Sequence, residues 1–592
     1  MPPARARYTV KSEILQKLLY KKFRLPGERA IERAVQSFSP AERLAFWTLS
    51  SIFVLSGIGL VLKTNGNFLV EVPERGGHLT EGIIGSPRFV NPVLALSDAD
   101  RDLSFLVYSG LLRPTPDGEL IPDLAERYEI SEDGKTYTFF LKPNARFHDG
   151  QLVSADDIKF TIEKIQDPAV KSPKRGNWDG VVVEKVSERE IRFTLKQPYA
   201  PFLENMTVGI LPSHIWKNVA ADEFPFSQYN IEPVGSGSYR VASSRRNSAG
   251  IPNEYRLRAS DRYTLGEPYI RTLTFKFFAN ESEAVKAYKS GGVESVAGVS
   301  PSLVSELSRS GAPVAVGDLP RIFGIFFNQN QAHLFTNKEV RLALDLALDK
   351  DKIVRDVLSG YGSVLEGPIP AALTGGSVGK LSEKEHSKEE ARALLEKNGW
   401  KKGVDGIYEK KTKKENFSLA FSLATGDAPE LKLAAKSIQE QWNDLGANVT
   451  VLVYETGDLN QDVIRPRRYD ALFFGEVVGR DIDLYPFWHS SQRNDPGLNI
   501  ALYVNSKADK LLETARTLSD REKRLETYAA LEKEIGNDRP VVFVYSPQFL
   551  YLIPRNIKGI TLGTLVTGSE RFSAINRWYI ETSKVWKIFT RF

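Results

Sequence analysis

The sequence predicts an α/β protein carried behind one membrane-spanning helix, and three observations predict it. Phe417 to Leu423 reads as a strand, Leu431 to Leu445 as a long helix and Val449 to Tyr454 as a second strand, a spacing that makes a crossover unit. Leu44 to Leu62 is a run of nineteen residues without a charge. The chain has 592 residues, more than one ordinary core accommodates, so two or three compact units are expected.

Hydrophobic residues make up 42% and charged residues 26% of the chain, a globular balance. The absence of cysteine excludes disulfides, thiolate metal ligands and a cysteine nucleophile, and leaves no thiol for a lipid tether. The net charge of +5 belongs to the N-terminal tail. Residues 1–43 hold ten Lys/Arg against four acids, and the remaining 549 residues come to about −1. That body offers no electrostatic footprint for nucleic acid.

The apolar run spans about 28 Å at 1.5 Å per residue, close to the hydrocarbon thickness of a bilayer. Its eleven Leu, Ile, Phe and Val residues contribute roughly −3 to −7 kcal/mol to insertion. Ser39-Pro40-Ala41-Glu42 in front of it is a capping box with proline at the first helical position, so a helix starts there. A cleaved signal peptide is the competing reading, but the basic leader of 43 residues is long and no clean small-x-small site follows. The uncleaved helix keeps the positive tail in the cytoplasm and faces everything after Lys63 outward. Within the tail, Ile14, Leu15, Leu18 and Leu19, then Ala30, Ile31, Ala34, Val35 and Phe38, stand at helical spacing on either side of Pro26-Gly27. They read either as two amphipathic helices on the inner leaflet or as a plain positive-inside determinant.

Residues 63–76 are polar and Gly-containing, a linker, and Gly77 to Gly82 opens a strand before Asn91-Pro92 and a helical run from Asp102 to Ser109. The stretch from Gly118 to Ile165 has a clear local grammar. Tyr137, Phe139 and Leu141 alternate with Thr138 and Phe140 between Asp133-Gly134 and Pro143, which is a strand between turns. Ser154 with Asp157 then caps a helix that places Ile158, Ile162 and Ile165 on one face. Glu190 to Pro198 repeats the strand pattern. Gly235 and Gly237, lacking a phosphate-loop or dinucleotide-binding spacing, read as a tight backbone turn. Phe323 to Asn328 is a continuous apolar strand, followed by a helix through Leu346 and Ala347. A charged helix from Lys388 to Lys397 and a hairpin through Asp405-Gly406 precede the crossover unit. Val541 to Tyr545 is a buried strand that should return to the first lobe.

These motifs resemble, in order and spacing, the solute-binding proteins of family 5, the substrate-binding components of peptide- and nickel-type ABC importers. The resemblance rests on Leu124-Ala125, Asp133-Gly134, Tyr137, Phe147-His148-Asp149-Gly150 and Ala155-Asp156-Asp157. It extends through Asn91-Pro92, Gly235 to Tyr239, Asn328, Val340-Arg341 and the segment from Tyr469-Asp470 to Asp481, Asp483 and Trp488-His489-Ser490, and so covers about Gly77 to Ile560. It implies a bilobed class II periplasmic-binding-protein-like α/β fold with an extra subdomain, here preceded by the transmembrane helix. The implied organisation is a basic cytoplasmic tail (1–43), a membrane helix (44–62), a linker (63–76), lobe I (77–117 and 228–311) with an inserted subdomain (118–227), lobe II (312–535) and a return to lobe I with a C-terminal tail (536–592). Partners implied are an ABC permease and its ATPase, a peptide or other small solute and, through the helix, the cell membrane; no cofactor is implied. A surface sensor or envelope assembly factor on the same fold is the alternative, and a hydrolase a further one.

For a hydrolase the chemistry is missing from the sequence. His78, His148, His214, His333, His386 and His489 show no paired metal spacing, and no Gly-x-Ser-x-Gly elbow occurs. His148 and Asp149 read as turn residues. In peptide-binding relatives an Asp after a Gly-Trp element pairs with the ligand's α-ammonium. Here Gly475-Glu476 replaces Gly-Trp, and the spacing brings Arg480 or Asp481 to that place, where an Arg favours an anionic group. The expected ligand-binding residues are Asp481, Asp483, Arg480, Trp488 and Glu476, with Asn328, Tyr239 and Asn91 on the other walls.

Overall fold

The computed structural model describes residues 28–374, 386–413 and 415–586. It contains two compact units: one built from the N-terminal segment up to Val72 together with the C-terminal segment from Thr582, the other from Pro73–Glu581.

In the first unit a helix covers Glu28–Gln36 and a second covers Pro40–Phe68. The second begins as the sequence predicts. Ser39 N–H and Oγ both donate to the Glu42 carboxylate at 2.8 Å, while Glu42 N–H donates to Ser39 Oγ. Pro40–Val61 is the one stretch, among the described residues, that is long and apolar enough to cross a membrane. The helix continues to Phe68, so the first half of the expected linker is helical. One interior glycine, Gly66, costs only about 1 kcal/mol, and no proline stops propagation before Pro73. Leu69–Pro73 then forms a two-stranded ribbon with Thr582–Trp586, and the Trp586 ring stacks on Phe68 at 6.3 Å. The expected helix around Ile14 to Leu19 lies outside the described residues.

The second unit has the bilobed architecture, organised on a twelve-stranded mixed sheet. One long strand, Val541–Leu552, serves both lobes. Its first part pairs antiparallel with Arg321–Phe327, and its last residues pair with Val314–Asp318 and Ser295–Ala297. The apolar clusters divide in the same way: Val542, Val544 and Tyr545 pack with the helices and strands of the second lobe, whereas Leu550 and Leu552 join a core containing Val296 and Val304. The chain therefore passes between lobes at Leu319-Pro320 and again, inside this strand, at Ser546-Pro547, later than the expected boundaries at 312 and 536, and Val541–Tyr545, expected to return to the first lobe, packs in the second.

The crossover unit is present, with Ala420–Gly426 parallel to Asn448–Tyr454 and the helix Pro429–Leu445 between them. A separate four-stranded sheet holds Thr136–Leu141 between Ala125–Ile130 and Glu190–Thr194, with Val182–Ser187 at its edge. Tyr137, Phe139 and Leu141 are buried, as their alternation requires. The helix Ala155–Gln166 carries the expected Ser154 and Asp157 capping box. His148 is a structural residue. Its backbone N–H donates to Gly235 O at 2.7 Å and its Nε2 lies 3.0 Å from Gly237 O, while burial lowers its pKa to about 4. Gly235 and Gly237 are needed for close approach. A Cβ on Gly235 would sit 2.0 Å from Val107 O, and one on Gly237 2.4 Å from Leu106 O.

Candidate functional site

The strand Ala471–Val477 lies antiparallel to Arg321–Phe327, pairing Val477 with Arg321. The Val478 N–H donates to Pro320 O at 2.9 Å, so the chain leaves the sheet beside an inter-lobe crossing. Gly479, at φ +87°, makes the turn that delivers Arg480, Asp481 and Asp483.

Arg480 reaches from this segment to two carboxylates of the first lobe. Its Nη1 donates to Glu204 Oε2 at 2.8 Å and its Nη2 to Glu570 Oε2. Glu204 sits on the eight-residue 3-10 helix Ala200–Thr207, and Glu570 on Gly568–Phe572, where it also accepts from Val566 N–H at 2.9 Å. The Arg480 side chain is 6% exposed. Burial outweighs the guanidinium in both acids: the Glu204 pKa is raised to about 7, and that of Glu570 also rises.

Asp483 forms the second link across the cleft. It accepts from Arg516 Nη2 at 2.8 Å and Nε at 3.1 Å, and from the Tyr199 hydroxyl of the first lobe at 3.1 Å. The Arg516 guanidinium lies 4.2 Å from the Tyr485 ring centre and 5.1 Å from that of Tyr199, within cation–π range. Asp481 pairs with Arg524 at 2.7 Å, and burial raises its pKa despite that partner. Arg480, Asp481, Asp483, Tyr199, Glu204 and Arg516 border a cavity of about 850 Å³ whose walls come from both lobes.

The structure thus brings together three of the residues expected at the site and buries the other five elsewhere. Trp488 packs on Tyr503 and Phe543 in the second-lobe core. Glu476 is 5% exposed, shares a strand face with Leu472 and Phe474 and makes no hydrogen bond through either carboxylate oxygen. Asn328 closes its own turn, donating to Arg467 O and accepting from Asn330 and Gln331 N–H. Asn91 does the same with Val93 N–H and Asn230, and the Tyr239 hydroxyl donates to Ile270 O in the first-lobe interior. Arg480 was expected to favour an anionic ligand group, whereas its Nη atoms are engaged by carboxylates of the chain itself. Glu204, Glu570, Tyr199, Arg516 and Arg524 were not foreseen. Among the described residues no group of three or more His, Asp or Glu side chains is placed to hold a metal ion.

Two lobes joined by two crossings and enclosing a cavity of this size define a bilobed solute-binding protein, the component of an ABC importer that captures substrate between its lobes. The chain belongs to the bacterial extracellular solute-binding proteins, family 5, whose middle-region model matches residues 119–498. It is 29% identical over 498 residues to the oligopeptide-binding protein AppA of Bacillus subtilis, covering 82% of this chain and 89% of that one. The structure of AppA in complex with a nonapeptide superposes with a TM-score of 0.66 at 27% identity, covering 86% of this chain and 100% of that one. NikZ from Campylobacter jejuni, in complex with Ni(L-His), superposes with a TM-score of 0.68 at 26% identity over 85% of this chain and 99% of its own.

Proposed function

We propose that this protein captures an extended, peptide-like solute in the cavity between its lobes and hands it to a permease–ATPase complex. The observation that carries the reading is the two-lobed cavity itself, with Arg480, Asp481 and Asp483 at its edge and a volume of about 850 Å³. That is ample for several residues of extended chain, whose backbone can be met by hydrogen bonds and whose side chains fall alternately to either wall. The likeness to a relative holding a nonapeptide supports the same ligand class. The helix from Pro40 anchors the protein in the cell membrane, with the basic tail in the cytoplasm and the binding unit outside.

Native mass spectrometry of the full chain in detergent tests the ligand. Adducts with short peptides are expected, and persistent failure with peptides, sugars and metal chelates alike would sink the receptor reading. Deleting residues 1–62 tests the anchor. The truncated chain should move from the membrane to the soluble fraction, and its retention at the membrane would overturn that role.

A further inference from the structure

The helix that starts at Pro40 runs past its apolar stretch to Phe68, and there it meets the segment from Thr582. Leu69–Pro73 pairs with Thr582–Trp586 in a two-stranded ribbon, and the Trp586 and Phe68 rings stack with their centres 6.3 Å apart. Two strands alone are marginally stable in water, because they have no core of their own. Yet the large apolar side chains here face outward: Phe68 is 56% exposed, Trp586 46% and Val70 39%. Lys584 stands two residues from Trp586 on the same strand, so the two share a face, and Lys584 is exposed as well.

Height decides what can cover that face. At 1.5 Å per residue Phe68 stands about 10 Å beyond Val61, where the apolar stretch ends. A bilayer adds a headgroup layer of about 5–7 Å to each side of its hydrocarbon core, and a helical side chain leans back over the preceding turn, toward the helix N-terminus. In a chain that spans the membrane through this helix, the Phe68–Trp586 pair therefore sits at headgroup level, where tryptophan is enriched. Charge points the same way. Thr582 to Phe592 reads TSKVWKIFTRF, with three cations, Lys584, Lys587 and Arg591, and no acid, while the paired strand contributes one acid, Glu71. Anionic headgroups attract such a segment, whereas an uncharged apolar partner leaves its cations unanswered.

We propose that the outward face of this ribbon, Phe68 with Lys584 and Trp586, is a second membrane contact: it lies in the headgroup layer of the bilayer that the helix spans and takes anionic phospholipid. The proposal rests on the reading of Pro40–Val61 as a membrane anchor. A contact this small binds a membrane only marginally and reversibly by itself, so it acts on a chain already tethered, for which the effective concentration of lipid is high. Both connections to the solute-binding unit, at Pro73 and at Glu581, leave from this ribbon. The contact thereby replaces one swinging linker with two strands fixed at their base.

The chain has no cysteine, so one introduced cysteine takes a fluorescent label at a single place. The full chain, labelled at Val70→Cys with nitrobenzoxadiazole, is reconstituted in nanodiscs of phosphatidylcholine with and without phosphatidylglycerol. Lipid carrying a spin label beside its headgroup should quench at least half of the emission in the anionic discs and less in the zwitterionic ones. Lys584→Gln combined with Lys587→Gln, which leaves both stacked rings in place, should bring the anionic value down to the zwitterionic one. No quenching in anionic discs, or quenching that the double variant leaves unchanged, overturns the proposal. So does emission that ignores the lipid quencher and changes with the number of chains per disc, which would show a second copy on this face. A label at Gly57→Cys, where an added Cβ meets nothing within 4 Å, separates the anchor from the contact, since lipid spin-labelled at its chain end should quench it. Quenching at Gly57 with none at Val70 leaves the anchor standing and overturns the contact. Quenching at Val70 with none at Gly57 supports the contact and overturns the anchor.

Discussion

The Ser546 hydroxyl donates to the Leu319 carbonyl at 2.9 Å, joining the two chain segments that pass between the lobes. Both residues are buried, and each is followed by a proline, Pro320 and Pro547, which restricts the backbone at the crossing. The Leu319 carbonyl also accepts from Arg321 N–H at 2.8 Å, so it keeps one partner when the hydroxyl is removed. Ser546→Ala should therefore cost only about 0.5–1.5 kcal/mol, read as a lower urea midpoint, and Ser546→Thr should recover part of it. A midpoint unchanged in the alanine variant would show that the bond does not hold the crossings together.

The Arg480 bridge makes lobe closure sensitive to pH. In the closed arrangement Glu204 has its pKa raised to about 7 by burial, and Glu570 and Asp481 shift the same way. In an open cleft these carboxyls return toward ordinary values. Between roughly pH 4.5 and 7 the closed form then holds more protons than the open one, so closure weakens as pH rises through that window. Small-angle scattering of the full chain should report a larger radius of gyration at pH 8 than at pH 5. Glu204→Gln should flatten that dependence, and a slope identical to wild type would refute the assignment. Arg480→Met should open the cleft at pH 8, where it leaves two neighbouring carboxylates without their cation, and have a smaller effect at pH 5, where the closed form holds these acids protonated.

Arg571 holds the C-terminal turn on the first lobe. Its guanidinium meets Glu81 Oε1 at 2.7 Å and Asp102 Oδ1 at 2.8 Å, and the Tyr551 hydroxyl donates to the other Glu81 oxygen at 2.7 Å. Arg571 and Glu81 are each 1% exposed. Arg571→Met removes the cation from between two buried acids, for which about 3–5 kcal/mol is the expected loss. Chemical denaturation should show it, and a loss below about 1 kcal/mol would mean that water reaches the pair.

Much of this fold was legible because its signals are local. Tyr137, Phe139 and Leu141 declare their strand by period two, and Ser39 with Glu42 and Ser154 with Asp157 declare helix starts within four residues. The partners of Arg480 were not legible: Glu204 and Glu570 stand 276 and 90 residues away, and no periodicity records such a contact. Asn91 and Asn328 also carry a local signal. An Asn beside a turn most often bonds its own backbone two or three residues on, as both do. Glu476 could have been placed from the sequence alone. It is four residues past Leu472 in one strand and therefore on the same, packed face.

That placement makes Glu476 a carboxyl with no hydrogen-bond partner in the second-lobe interior, and burial raises its pKa well above the ordinary value. Between the unfolded pKa near 4.5 and the higher folded one, the native chain keeps a proton that the unfolded chain has lost, so its contribution to stability falls as pH rises. Glu476→Met replaces the carboxyl with an apolar group of similar length. It should stabilise the protein by about 1–3 kcal/mol at pH 5, the penalty of an unpaired buried polar group. The gain should grow toward pH 8, where the wild type is further penalised. Urea denaturation at the two pH values measures both, and a variant less stable than wild type at each would mean that the Glu476 oxygens are hydrogen-bonded after all.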